Sequence, residues 1–209
     1  MRRGSESREP QASSRYEYIV FNKPYGVMTS FTDAQNRATL ADYVSIPHVY
    51  AAGRLDRESE GLLLLTSDGN LIHLLTDPRH KLPKTYLVQV EGIPDAKNVD
   101  RLRKGVLVQG KRTKPADVEL LEHVPALWPR EIPIRFRKSV PTAWLRMAIS
   151  EGMNRQIRRM TAGIGHPTLR LVRMAIGPIH VGSLVPGQWR RLEQTEIQAV
   201  FDLRRPLED

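Results

Sequence analysis

The chain has 209 residues, 32 Lys and Arg against 23 Asp and Glu, a formal charge of +9 and no cysteine. That length accommodates one ordinary domain or two small lobes sharing a core, and the missing cysteines exclude disulfides, thiolate metal ligands and cysteine nucleophiles. A pI near 10.1 is the electrostatic footprint of a polyanion binder, with nucleic acid as the leading partner and a merely solvated basic surface as the bland alternative.

Residues 1–15, MRRGSESREPQASSR, are rich in Ser, Arg and Glu. They offer too little apolar surface to offset chain entropy and are expected to form a disordered basic tail. No apolar core follows the arginines as a secretory signal requires, and no run approaches the roughly 18 apolar residues of a membrane span, so a cytoplasmic location without membrane partners is expected. Order is expected from YEYIVFN (16–22), a strand stopped by Lys23-Pro24-Tyr25-Gly26. TLADYV (39–44) reads as a short helix capped by Thr39, VYAAGRLD (49–56) as a short strand entering a glycine turn, and LLLLT (62–66) as a buried strand. Asp68 caps a helix through LIHLLT (71–76). From Lys84 to Glu91, Tyr86, Val88 and Val90 alternate with polar neighbours, the period of a half-buried strand. A surface helix over Asp95–Lys104 ends at Gly105, and strands are expected over 106–110 and 116–122.

The stretch ALWPREIPIRFRKSVP (126–141) has three prolines, three arginines and a lysine, the composition of a long, basic, irregular loop. AWLRMAIS (143–150) returns to strand character, Asn154 is placed to cap a helix from Arg155 to about Gly163, and strands follow over 169–177 and 188–192 before a terminal helix near TEIQAVFDL. Strands with interspersed short helices, without regular βαβ alternation, indicate an α+β fold. One ordered domain over 16–209 is expected, two lobes sharing a sheet.

Three clusters could carry chemistry. In GRLDRESEGLLLLT (53–66), Arg54, Asp56, Arg57, Glu58 and Glu60 crowd beside a buried-looking strand. Neighbouring cations favour an ionised carboxylate, which can act as nucleophile or base, although an exposed turn laced with weak ion pairs fits the same spacing. In SEGMNRQIRRMTAGIGHP (150–167), Ile157, Met160 and Ile164 form an apolar stripe opposite Arg155, Arg158 and Arg159. Three arginines without a nearby i,i+4 acid point to an external anion or to an acid elsewhere in the fold. Arg170 and Arg173 are expected to extend that charge. Trp128 and Phe136 interleaved with Arg130, Arg135, Arg137 and Lys138 match the composition of RNA-binding surfaces. Histidines 48, 73, 80, 123, 166 and 180 are scattered, so no metal set is expected.

Taken in order, KPYGV (23–27), GRLDRESEGLLLLT, KTYLVQV (84–90), EGMNRQIRRM and LRLVRMAIG resemble the successive motifs of the pseudouridine synthases over roughly residues 18–192. The details resemble the RsuA/RluB/RluE/RluF branch, and LWPREIPIRFRKSVPT resembles its members that act on 23S rRNA. The resemblance implies the pseudouridine synthase fold, a mixed, largely antiparallel sheet flanked by helices and loops around a central cleft. It implies a uracil cleaved from its ribose, rotated and rejoined through carbon 5 without cofactor or metal. Asp56 would be nucleophile or base, Tyr86 would stack on the uracil, Arg158 would pair with Asp56, Leu171 would pack against the site, and Arg54 would hold the target out of its helix. Lys23, Arg155 and Arg159 join Arg54, Leu171 and the 130–138 cations as expected substrate and RNA contacts. With so short a tail, the small RNA-binding module that most of that branch carries is not expected before the catalytic domain. The partner implied is 23S ribosomal RNA, free or in a pre-ribosomal particle, met by a monomer. A non-catalytic RNA-binding or ribosome-assembly factor, and a pseudouridine synthase acting on transfer RNA, remain as alternatives.

Overall fold

The computed structural model describes residues 15–77, 82–134 and 139–202. Nearly all of the expected tail, His80, Arg135, Phe136, Arg137 and Lys138 lie outside the described residues. The strands and helices are β1 (Tyr18–Lys23), β2 (Tyr50–Ala51), β3 (Glu60–Thr66), α1 (Gly69–Thr76), β4 (Lys84–Glu91), α2 (Ala96–Lys104), β5 (Leu107–Val108), β6 (Lys111–Arg112), β7 (Asp117–Leu121), β8 (Thr142–Ile149), α3 (Gln156–Gly163), β9 (Thr168–Ile176), β10 (Ile179–His180), β11 (Trp189–Arg191) and α4 (Gln194–Asp202). A single 3-10 turn, Leu40–Asp42, stands where a short helix was expected, and Thr39 caps it with Asp42 in a reciprocal capping box.

Strand β3 is buried at every position and sits near the middle of a sheet ordered β11-β1-β3-β9-β4-β8-β7, with β2 and β10 attached to β3 and β9. All pairings are antiparallel except β3 with β9, where Glu60 and Gly61 lie parallel to Val172 and Arg173. Gly61 is needed at that junction. Its φ is +100°, and a Cβ there would stand 2.2 Å from the Arg173 carbonyl oxygen, so every side chain is excluded by both strain and contact.

Period-two alternation sorts the sheet into two faces. Ile19, Phe21, Leu63, Leu65, Tyr86, Val88 and Leu171 point into one core, closed by Val99 and Leu102 of α2 and by Ile157 and Met160 of α3. Val20, Leu62 and Leu64 point into the other, closed by Leu71, Leu74 and Leu75 of α1 and by Ile197 and Val200 of α4. The α+β reading therefore holds. Asp68 caps α1 as expected, its Oδ1 accepting from Asn70 N at 2.9 Å. Helix α3 begins one residue later than expected: Arg155 occupies the cap position at φ 51°, and the Gln156 side chain accepts from Met153 N at 3.0 Å. Asn154 instead accepts a bond from Arg159. No described helix is long and apolar enough to cross a membrane.

Candidate active site

Between β2 and β3, the loop from Gly53 to Ser59 crosses the end of the first core. Each main-chain carbonyl from Arg54 to Glu58 accepts a hydrogen bond. Arg173 Nη1 donates to Arg54 O at 3.4 Å, Thr29 Oγ1 to Leu55 O at 2.6 Å, and Ser59 N to Asp56 O at 3.0 Å. Gly26 N donates to Arg57 O at 2.8 Å, and Arg158 Nη2 to Glu58 O at 2.8 Å. A loop held at five consecutive carbonyls has little freedom left, and the Asp56 side chain inherits that rigidity while remaining 33% exposed.

Asp56 lines a cleft of about 690 Å³ together with Arg54, Tyr86, Arg155, Leu171 and Arg173. Tyr86 and Leu171 are buried, at 8% and 6% exposure, and form the apolar floor. Arg155 Nη1 stands 3.7 Å from Asp56 Oδ2, and Arg155 Nη2 bonds Glu58 Oε2 at 2.8 Å. The left-handed backbone at Arg155 accompanies this reach across to the loop. The Arg155 bond is the main reason that the Glu58 carboxyl titrates below its ordinary range. Both partners are substantially solvated, so the pair orients the loop more than it stabilises the fold.

Several expected contacts take other places. The expected Asp56–Arg158 ion pair is not formed. Arg158 lies behind the loop, spends Nη2 on the Glu58 carbonyl, and keeps a buried Nε without a hydrogen-bond partner. Burial, then the Arg155 cation, pulls the Arg158 guanidinium below the ordinary arginine range, while the Glu58 and Asp56 carboxylates oppose that shift. Arg159 bonds Asn154 and leaves a buried Nη1 unpartnered. Of the two expected partners for these arginines, Arg155 meets an acid elsewhere in the fold, Glu58 with Asp56 beside it.

Lys23 is fully buried and cannot reach RNA. Its Nζ donates to Pro24 O at 2.9 Å, Val27 O at 2.8 Å and Arg57 O at 3.4 Å, tying the KPYGV turn to the Asp56 loop. Burial pulls its amine down to about 7, against the opposing pull of Glu60 and Asp56. Arg170 and Arg173, expected to extend an anion site, are internal. Arg170 grips Glu60 with two bonds of 2.9 and 2.8 Å, and Arg173 donates to Leu62 O at 2.7 Å. Trp128 also turns inward, donating to Glu60 Oε2 at 3.2 Å. Arg130 lies over the Tyr25 ring and is not among the residues that line the cleft.

Sequence reasoning missed Lys84, Lys111 and Lys114, which line the same cleft. Lys84 was findable, since it lies two residues before Tyr86 on one strand face. Burial and the Arg173 cation draw its amine below the ordinary lysine range. Lys111 and Lys114 gave no local signal, because the β5–β6 hairpin comes to the cleft only through the tertiary fold, where Glu151 Oε1 accepts from Lys114 N at 2.8 Å.

A carboxylate on a fixed loop, above an aromatic and aliphatic floor and inside a cationic rim, suits chemistry on a planar base attached to a phosphate backbone. Residues 17–163 match the family described as RNA pseudouridylate synthase. The chain belongs to this family. It is 59% identical over 174 residues to the ribosomal large subunit pseudouridine synthase E of Xanthomonas campestris pv. campestris, covering 82% of this chain and 93% of that one. Over 187 residues it is 50% identical to the protein of the same description from Vibrio vulnificus, covering 90% and 80%. A solved structure described as a pseudouridylate synthase superposes with a TM-score of 0.75 at 31% identity, over 89% of this chain and 74% of that one. The fold is that of the pseudouridine synthases, and the chain is an isomerase of that family.

Proposed function

We propose that this pseudouridine synthase acts in the cytoplasm on a uridine of 23S ribosomal RNA, with Asp56 as its catalytic carboxylate. The observation that carries the reading is the convergence of Asp56, Tyr86 and Leu171 in one cleft from three separate chain segments. The printed descriptions of the relatives, ribosomal large subunit enzymes from two genera, support the choice of RNA.

The target uridine leaves its helix and enters the cleft, at a cost of a few kcal/mol in unstacking that the enzyme must return as contacts. Tyr86 offers a ring against which the uracil stacks, Leu171 closes the floor, and Arg54 on the exposed side of the loop faces the displaced RNA strand. Asp56 attacks the substrate, the N1–C1′ bond breaks, the uracil turns, a C5–C1′ bond forms, and the bond to Asp56 breaks to return the free carboxylate. The C5 proton leaves as N1 gains one, so no net atom or electron is exchanged. Arg155 keeps the Asp56 carboxylate in place, and Arg158 acts through the Glu58 carbonyl as a positioning residue.

The deciding experiment incubates the protein with separate transcripts of 23S, 16S and transfer RNA and maps carbodiimide adducts. Pseudouridine in the 23S transcript alone is the expected result. Modification confined to transfer RNA overturns the target, and absence of pseudouridine in every transcript and in assembly intermediates overturns the enzymatic reading.

A further inference from the structure

The Arg130 guanidinium carbon lies 4.0 Å from the centroid of the Tyr25 ring. Its position is fixed from behind: Nε donates to Ile132 O, and Nη2 to Pro133 O at 3.2 Å. Two residues upstream, Trp128 is anchored in the buried Glu60–Arg170 pair through its indole N–H and its carbonyl, which accepts from Arg170 Nη2 at 3.0 Å. Tyr25 is held from the other side. Its neighbour Gly26 exchanges two bonds with Arg57, donating N–H to Arg57 O at 2.8 Å and accepting from Arg57 Nε at 3.2 Å. The ring and guanidinium therefore sit beside the Asp56 loop, both half-exposed.

A long arginine side chain on a surface ordinarily samples many rotamers, and ordering it costs entropy. Here two carbonyls and a ring hold it in one place without any carboxylate partner among its described bonds. That arrangement leaves the charge without a carboxylate and keeps guanidinium and ring together, both partly exposed. Guanidinium planes and aromatic rings are the surfaces on which unpaired RNA bases stack. Extruding a uridine into the cleft leaves its neighbours unstacked on one side, so a platform next to the loop replaces a lost contact.

We propose that Tyr25 and Arg130 form a stacking subsite for the unpaired nucleobase adjacent to the uridine in the Asp56 cleft. The inference rests on the pseudouridine synthase reading above, and it assigns Arg130 a base rather than a phosphate.

The test starts from the uridine mapped in the 23S transcript and uses a synthetic stem-loop of that sequence, with either flanking nucleotide intact or abasic. Wild type is expected to lose about tenfold or more in kcat/KM when one flanking base is removed. Arg130→Ala and Arg130→Lys are both expected to show that loss on the intact RNA and no further loss on the abasic one, since lysine keeps the charge but not the plane. Equal melting temperatures of the three proteins confirm that the fold is intact. Wild-type kcat/KM in Arg130→Lys, or losses from Arg130→Ala and the abasic site that multiply, overturns the subsite. Wild-type turnover is the internal control: its absence sinks the functional reading and the subsite with it, whereas turnover with an unaffected Arg130→Lys sinks the subsite alone.

Discussion

Two irregular connections frame the site, and they are held in opposite ways. The loop from Gly53 to Ser59 is fixed through its backbone, with five consecutive carbonyls bonded. The described part of the connection between β7 and β8 is held mainly through side chains, with the Trp128 indole on Glu60, Arg170 bonding both Glu60 and the Trp128 carbonyl, and Arg130 laid over Tyr25. Backbone anchorage suits a carboxylate that must sit within tenths of an ångström of a reacting atom. Side-chain anchorage suits a surface that meets a larger partner, because single substitutions can retune it without disturbing the sheet. Glu60 links the two, since it follows the Asp56 loop directly and receives the Trp128 indole.

The comparison can be broken at graded strengths. Gly61→Ala should have the largest effect, more than about 4 kcal/mol in urea unfolding, because the new Cβ meets the Arg173 backbone at the β3–β9 junction. A loss below about 1 kcal/mol would mean that the junction can relax. Arg170→Met leaves Glu60 charged and buried and should cost about 3–5 kcal/mol, whereas the Glu60→Leu/Arg170→Met pair should recover most of that loss. Equal losses in the single and double variants would assign the effect to packing instead. Trp128→Phe removes one bond to a charged group and should cost about 2 kcal/mol, with binding to the 23S transcript affected more than kcat.

Lys23 gives a prediction in pH. Its folded-state value of about 7 lies below the ordinary 10.5. Between those values the unfolded chain holds the extra proton, so this group's contribution to stability rises with pH across the window. Below about pH 7 the charge is buried and its full penalty is present. Relative to Lys23→Met, wild type should therefore gain stability from pH 7 to pH 10, read as a rise of its urea midpoint relative to that of the variant. A gap that stays constant would place the titration elsewhere.

Much of the fold was legible because its determinants are local. The buried LLLLT run, the Asp68 cap and the alternation from Lys84 to Glu91 each announce an element within a few residues. The site was legible only in part. Asp56, Tyr86 and Leu171 meet in one cleft as the ordered motifs led us to expect. Arg155 taking the place beside Asp56, and Arg158 bonding a carbonyl, depend on a left-handed residue that helix periodicity does not reveal. Likewise Lys23, Arg170 and Arg173 look like surface cations in sequence, and only tertiary burial turns them into internal clamps. Trp128 reads as an RNA-stacking aromatic until Glu60, far away in sequence, is placed beneath it.

On the proposed function, the fixed loop presents Asp56 to a uridine. Single-turnover pseudouridine formation and equilibrium binding, measured together on the 23S transcript for wild type, Asp56→Ala and Asp56→Asn, test it most directly. Both variants should form no detectable pseudouridine while binding RNA within about threefold of wild type, since this half-solvated side chain bears little of the phosphate affinity. Pseudouridine formed by either variant at a rate near wild type would contradict the claim.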